Sequence, residues 1–300
     1  MLTFPTRHVF IEGPDCAGKT TLIKKIHKLT NYKFHINDRS SVSRKIFSEL
    51  YDRNISCVYD DFHLELSNLN NIFIFLLPSF EIVKERFLER GDDIHEDVES
   101  LMEVYNAFER EVKNIKTFPN VMVYSWPDTT EIAKHVSRDL LSRECLQIED
   151  ISRCVFEFVS CAGGESYPLE FTIYDDCSFS SVDSGSMLYK PEIKYYCGIY
   201  SKIHKKIDDE LTGNNEYNRI ESEKSRRFVY SDDSCISFIQ VSIRNGLMDF
   251  HTVFRSTDVK TTFPFDLKFL YFLGSTCYKK FNNYCYNVRF RFSLNSAHIL

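Results

Sequence analysis

The sequence predicts two domains. The first, residues 1–145, is an α/β domain with a parallel sheet and helices on both faces; the second, residues 150–300, is an α+β domain. Three observations lead there. The chain has 300 residues, about twice the ~100–150 at which single cores cluster. Its first half alternates strand-like and helix-like runs, the pattern of a parallel sheet covered by helices. From about residue 150 the pattern shifts to segments in which aromatic and β-branched residues alternate.

Each element follows from its residues. HVFIE, residues 8–12, is a short apolar strand, and TLIKKIHKL beyond it has helical periodicity. KFHIN reads as a second strand, SVSRKIFSEL as a helix, and residues 59–69 as a polar helix. NIFIFLL is a third strand, followed by the helix SFEIVKERFLER and a helix over 94–114. VMVYS is a fourth strand, and a last helix runs from about 129 to 143. In such a sheet a ligand sits at the carboxyl ends of the strands. In the second half LEFTIY, RRFVYS, SFIQVSIR, FHTVFR and VRFRFSL predict an antiparallel or mixed sheet.

Composition excludes several classes. The chain is 43% hydrophobic, with 10 Gly and 8 Pro, so it is neither disordered, collagen-like nor low in complexity. A net charge of −6 argues against holding nucleic acid by bulk charge. The ten cysteines include no CxxC pair, which argues against zinc. The amino end lacks a leader pattern, and the longest apolar stretch, Ile72 to Leu77, is too short to cross a bilayer. The expectation is no membrane association and a reduced, cytoplasmic setting, in which the thiols serve as small core residues.

Gly13-Pro14-Asp15-Cys16-Ala17-Gly18-Lys19-Thr20 is a complete G-x-x-x-x-G-K-[ST] between a strand and a helix. Backbone N–H groups of such a loop face a phosphate chain and the helix N-terminus adds its dipole. Lys19 then reaches the terminal phosphates and the Thr20 hydroxyl ligates Mg²⁺. Gly13, Gly18, Lys19 and Thr20 form the expected ATP-binding set, with Thr20 and Asp38 assigned to the metal.

Asp15 lies inside this loop, Asp38-Arg39 ends the second strand, and Arg86 and Arg90 lie on the helix after the third. Together IEGPDCAGKTT, NDRS and ERFLERGDD resemble the thymidylate kinase branch of the nucleoside monophosphate kinases, over residues 7 to about 143. The resemblance implies ATP and Mg²⁺ as cofactors and a deoxypyrimidine monophosphate as acceptor. It places Asp15 near the acceptor sugar, Arg39 with Asp38 at the acceptor phosphate, and Arg86 or Arg90 in an arginine-bearing lid. Lys19, Asp15, Arg39, Arg86 and Arg90 become the catalytic set. Phosphoryl transfer indeed needs positioning and positive charge more than covalent chemistry. The chain departs from the family at Ser40, where an aromatic is usual, and in the short segment between the second and third strands.

The stretch SRRFVYSDDSCISFIQVSIRNGLMDFHTVFRSTDVKTTFPFDL resembles the core of thymidylate synthase and the related pyrimidine hydroxymethylases. Cys235 falls at the nucleophile position, five residues before Gln240, eleven before Gly246 and twenty before Arg255-Ser256-Thr257-Asp258. Phe263-Pro264-Phe265-Asp266 follows in register, and the end of the chain, with His298, resembles the family's later histidine motif. The resemblance implies that a Cys235 thiolate, favoured by nearby arginine, adds to C6 of a pyrimidine nucleotide and makes C5 nucleophilic. Gln240, Arg255, Ser256, Asp258, Asp266 and His298 become nucleotide-binding residues, and methylene-tetrahydrofolate the cofactor if the domain is active. Arg226 and Arg227, matching the S-R-R element, reach the neighbouring subunit's phosphate in that family and so imply a homodimer. Asp266, where the synthases carry Asn, resembles the deoxycytidylate hydroxymethylases, since a carboxyl group suits the N4 donor and N3 acceptor of cytosine.

Ser234 and Ile236 replace the usual Pro and His beside the nucleophile, and Leu300 falls where the family has a sugar-binding Tyr. No W-x-x-L-R-G-like helix with its glutamate is recognisable between 150 and 225, and spacing supports neither Glu165 nor Glu170 in its place. This domain is therefore expected to be incomplete at its ends, and a nucleotide-binding domain without activity is an alternative. The leading reading is a deoxynucleoside monophosphate kinase fused to a domain that makes or binds its 5-modified pyrimidine. Such pairing is typical of viruses, and would place the protein in host cytoplasm. A second reading is a kinase that phosphorylates a 5-hydroxymethylpyrimidine within DNA, with the second domain recognising the base. A third is a non-enzymatic ATP sensor.

Overall fold

The computed structural model describes residues 2–53, 56–90, 97–143, 147–166, 168–175, 201–203, 205, 228–231, 235–281 and 285–300. The chain divides into two compact units, Thr6–Arg143 and a second made of Met1–Pro5 with Glu144–Leu300. The first five residues thus belong with the carboxy-terminal half. Their strand β1 (Leu2–Thr3) pairs antiparallel with β7 (Leu169–Asp175), Leu2 opposite Asp175.

The Thr6–Arg143 unit is a four-stranded parallel sheet in the order β3-β2-β4-β5, from β2 (His8–Glu12), β3 (Ile36–Asp38), β4 (Asn71–Leu76) and β5 (Val121–Tyr124). All six residues of β4 are buried, so both faces of the sheet are covered. Val9, Ile11, Ile72, Ile74 and Leu76 pack with Leu22 and Ile26 of α1 (Lys19–Leu29) and with Ile132, Val136 and Leu140 of α6 (Thr129–Ser142). Alternate residues face the other way, where the Phe10 and Phe73 rings stack at 5.0 Å. Burying each such side chain contributes roughly 1.5–3 kcal/mol. On α2 (Ser41–Leu50) Phe47 meets Phe108 of α5 (Val98–Ile115) edge-on at 6.2 Å. α5 buries Leu101, Val104, Phe108, Val112 and Ile115 at helical spacing and is capped by Asp97, which accepts from Ser100 N at 2.8 Å. α3 (Ser56–Leu66) and α4 (Phe80–Arg90) complete the unit.

The second unit has a six-stranded mixed sheet in the order β1-β7-β12-β10-β9-β8. Its strands β8 (Phe228–Ser231), β9 (Ile236–Arg244), β10 (Leu247–Phe254) and β12 (Asn287–Leu294) are antiparallel except for the parallel β10–β12 pair. A three-stranded sheet joins β11 (Thr257–Asp258), β13 (Ala297–His298) and β6 (Glu165–Ser166).

Two helices here escaped the sequence reading, α7 (Ile148–Cys161) and the nineteen-residue α8 (Phe263–Phe281). α8 is apolar around most of its circumference, so it lacks the periodic contrast by which a helix is recognised. It lies on the inner face of the large sheet: Phe263 meets Phe171 and Phe254 edge-on at 6.1 and 5.8 Å, and Tyr271 lies 5.8 Å from Phe290. Gly274 permits this approach, because a Cβ there would stand 2.4 Å from the Phe290 ring. α7 packs beside α8, tied by Lys268 to Glu149 at 2.7 Å.

Cys277 and Cys285 are buried thiols, Cys16, Cys154 and Cys161 are partly buried, and Cys235 is exposed. Among the described residues no helix is long and apolar enough to cross a membrane.

Candidate functional site

The strand β2 ends at Glu12 and the chain turns at once into the glycine loop. Gly13 has φ +137°, and a Cβ there would stand 2.4 Å from the carbonyl oxygen of Leu76 at the end of β4. Only glycine meets both conditions. Gly18, at φ +103°, starts α1 and lies against Thr129 of α6. A cavity of about 760 Å³ opens beyond this loop. Its wall takes Asp15, Cys16, Gly18, Lys19, Thr20 and Thr21 from the loop and α1, Asp38 and Arg39 from the end of β3, Arg86, Glu89 and Arg90 from α4, and Thr129 from α6.

The charged groups are held by one another. Lys19 is buried and donates from Nζ to the carbonyl oxygens of Gly13 and Pro14 at 2.9 and 2.8 Å, with Asp15 Oδ1 at 3.7 Å. Burial pushes its ammonium below the ordinary lysine value and Arg39 adds to that effect, while Asp15, Asp38 and Glu12 oppose it. Arg39 donates from Nη2 to Asp15 Oδ1 at 2.5 Å and from Nη1 to Ser43 Oγ at 3.3 Å, and its guanidinium lies 4.8 Å over the Phe47 ring. Asp15 therefore sits between the lysine and arginine assigned by resemblance to two different phosphates. Arg86 reaches across from α4 to the carbonyl oxygens of Ala17 at 3.0 Å and Pro127 at 3.1 Å. It is a fixture of the cavity wall tied to the loop. Arg90, one turn on, lines the same cavity from an exposed position at the end of α4, so the i,i+4 pair does face one site.

Behind this wall lies a residue that sequence reasoning missed. Glu12 has no exposed surface, and its carboxylate accepts from Ser40 N and Ser40 Oγ at 2.5 Å each, from Ser43 Oγ, and from Ser43 N at 3.4 Å. Burial pushes the carboxyl up from its ordinary value, and the serine hydrogen bonds and Arg39 pull it back. Ser40 also caps α2, its Oγ accepting from Val42 N at 3.0 Å. An aromatic side chain at Ser40 would supply neither bond. The departure from the family pattern at Ser40 thus has a local reason, and Ser40 following Arg39 was the one signal available in the sequence.

In the second unit, main-chain pairing gathers several of the expected residues. Arg255 N donates to Cys235 O at 2.9 Å, Thr257 N to Ser296 O at 2.9 Å and Val259 N to His298 O at 2.9 Å. Asp258 is opposite His298 in the parallel β11–β13 pair, and Ser256 Oγ lies 3.3 Å from His298 Nδ1. Asp258 accepts from Lys260 N at 3.0 Å and from Thr261 Oγ1. Burial pushes its carboxyl up, but these bonds outweigh burial and hold it below the usual range. Glu165 is opposite His298 on β6, whereas Glu170 is opposite Ser293 in the large sheet.

Two expected nucleotide-binding residues part company. Gln240 alternates with buried Ile239 and Val241 and pairs with His251, which places it on the outer face of the sheet. Asp266 is buried in the first turn of α8, the helix on the inner face, with its N–H on Thr262 O at 3.1 Å. The two residues thus belong to elements on opposite faces of the large sheet. Arg226 and Arg227 lie outside the described residues, as does most of the segment searched for the glutamate helix.

No family model matches the chain, and no curated protein does. Among solved structures, deoxyadenosine kinase from M. mycoides, with the products dCMP and dCDP bound, is 17% identical over 45% of this chain and 99% of that one, with a TM-score of 0.33. The YorR protein from Bacillus subtilis, in complex with phosphorylated GDP, is 18% identical over 45% of this chain and 94% of that one, with a TM-score of 0.32. Thymidylate synthase from T4 phage is 21% identical over 38% of this chain and 46% of that one, with a TM-score of 0.24. At such identities and TM-scores the likeness does not establish a family.

Proposed function

We propose that the Thr6–Arg143 unit transfers a phosphoryl group from MgATP to a deoxypyrimidine nucleoside monophosphate, and that the second unit binds, or modifies at C5, a pyrimidine deoxynucleotide through Cys235. The observation that carries the first part is the convergence of Lys19, Arg39, Arg86 and Arg90 on one cavity beyond a loop that only glycine fits. Four cations around one space suit the negative charge shared by two phosphorylated substrates. A triphosphate is supported by the loop's shape, which rests on the positive-φ backbones of Gly13 and Gly18, and by Lys19, which lies where phosphate oxygens can replace the Gly13 and Pro14 carbonyls as its partners. Thr20 and Asp38 would ligate Mg²⁺, which supplies further neutralisation of charge. Arg39 leaves Asp15 for the acceptor phosphate, an acceptor oxygen attacks the γ-phosphorus, and the bond to the β-phosphate oxygen breaks as ADP departs.

For the second part, the support is the gathering of Cys235, Arg255, Ser256, Asp258 and His298 by main-chain pairing at one end of the sheet. A Cys235 thiolate adding at C6 passes the C5–C6 electron pair to C5, which then takes a proton or an electrophile. The homodimer and the cytosine preference belong to the same proposal, the first resting on Arg226 and Arg227 and the second on Asp266.

One assay tests the kinase reading. The protein is incubated with γ-labelled ATP and separately with dTMP, dCMP, dUMP and DNA containing 5-hydroxymethylpyrimidine. Label in a free monophosphate is expected; label confined to DNA would overturn the acceptor assignment, and no label in either would overturn the kinase.

A further inference from the structure

A carboxylate with no exposed surface is costly to keep unless its partners are near and well placed, the penalty running to several kcal/mol per ion. Glu12 is such a group. It takes no part in the cavity wall, and its partners all come from the segment that follows Arg39. Both serines are oriented by a second bond. Ser40 Oγ accepts from Val42 N, and Ser43 Oγ accepts from Arg39 Nη1 at 3.3 Å, so the hydroxyl protons of both are directed at Glu12. The other carboxylate at this helix end, Glu65, accepts from Ser41 N at 2.9 Å and Ser41 Oγ at 2.5 Å and makes no contact of this kind with Arg39.

Arg39 itself has φ +73°, a left-handed backbone in a residue that is not glycine. That conformation costs about 1–3 kcal/mol and persists only where neighbours fix it. Here Arg39 N is bonded to Ile11 O at 3.0 Å, and the next residue, Ser40, is bonded twice to Glu12. The strand that launches the phosphate loop thus fixes the arginine on both sides, through its backbone at Ile11 and through the Glu12 side chain.

We propose that Glu12 is a positioning residue for Arg39: through Ser40 and Ser43 it sets the guanidinium that receives the acceptor phosphate, and it leaves donor binding to the loop. This rests on the kinase reading above.

The test compares wild-type protein with Glu12→Gln, using ATP and whichever free monophosphate of the panel takes label best. Glutamine keeps the shape but turns an N–H₂ group towards hydroxyl donors. The KM for the monophosphate should rise about tenfold or more, consistent with a lost charge-assisted bond, while the KM for ATP stays within about twofold. Ser43→Ala, which removes the hydroxyl that joins Glu12 to Arg39 and leaves the two Ser40 bonds to Glu12 in place, should give a smaller rise in the same constant, and serves if Glu12→Gln does not fold. Equal rises in both constants, or no change in either, would overturn the inference with the kinase reading intact. A wild-type protein that labels no monophosphate overturns both.

Discussion

In the P-loop cavity side chains hold one another, whereas around Cys235 the main chain does the holding. Asp15 bonds Arg39, Arg39 bonds Ser43, Ser43 bonds Glu12, and Lys19 and Arg86 are pinned to loop carbonyls. Cys235 is exposed and is tied to Arg255 through its carbonyl oxygen, while Asp258 and His298 meet by strand register. A network of charges is stiff but fragile, because removing one member leaves the others buried without a counterpart. A constellation fixed by backbone register tolerates loss of any side chain, since the hydrogen bonds that place it remain. The two regions should therefore answer mutation differently.

The largest effect is expected from Lys19→Ala, which should lower phosphoryl transfer by about 10³-fold or more. Chemistry at Cys235 should be untouched, and loss of both would show that the units do not work independently. Next, Cys235→Ala should remove the covalent adduct formed with 5-fluoro-dUMP or 5-fluoro-dCMP, seen as a mass increase on the intact protein. Its melting temperature should move by only about 1–2 °C, within the range of a substitution that breaks no buried network. An adduct that survives the substitution would refute the nucleophile assignment.

A double-mutant cycle probes the difference itself. Asp15→Ala and Arg39→Ala should be non-additive by roughly 1–3 kcal/mol in kcat/KM for the monophosphate, whereas Cys235→Ala and His298→Ala should add to within about 0.5 kcal/mol in nucleotide affinity. The reverse pattern would break the comparison. The smallest effect concerns a side-chain cluster in the second unit that lies on the outer sheet face. Asp249 accepts from Arg289 Nε at 2.7 Å and from Arg291 Nη2 at 2.7 Å. Burial pushes its carboxyl up, but the two arginines outweigh burial and hold it below the usual aspartate range. A depressed carboxyl contributes stability that is present above the unfolded value and lost as pH falls through the folded one. Asp249→Asn should thus cost about 1–2 kcal/mol at neutral pH, with the deficit shrinking below about pH 4 in denaturant titrations.

Much of the first site was legible because its parts sit at the ends of periodic elements. The loop, Asp38-Arg39 and Arg86 with Arg90 each follow a strand or end a helix, and parallel order brings such ends together. Glu12 was not legible, since its partners lie 28 and 31 residues away and meet it only because β3 pairs with β2. In the second unit the strands were readable from alternation, but which face a residue takes depends on register. Gln240 and Asp266 show the limit, one on a strand facing outward and the other on a helix whose all-round apolar surface resembles a run of strand residues.

The pairing of Leu2 with Asp175 has a consequence in time as well as in space. The edge strand Leu2–Thr3 is synthesised ahead of its partner, which exists only after the whole Thr6–Arg143 unit has been made. That unit thus lies in sequence between two segments of its neighbour, and Leu2–Thr3 must wait for β7 before it can find its place. Cutting the gene at the apparent midpoint would give a carboxy-terminal fragment with the β7 edge bare, and an amino-terminal fragment carrying a strand that belongs to the other half.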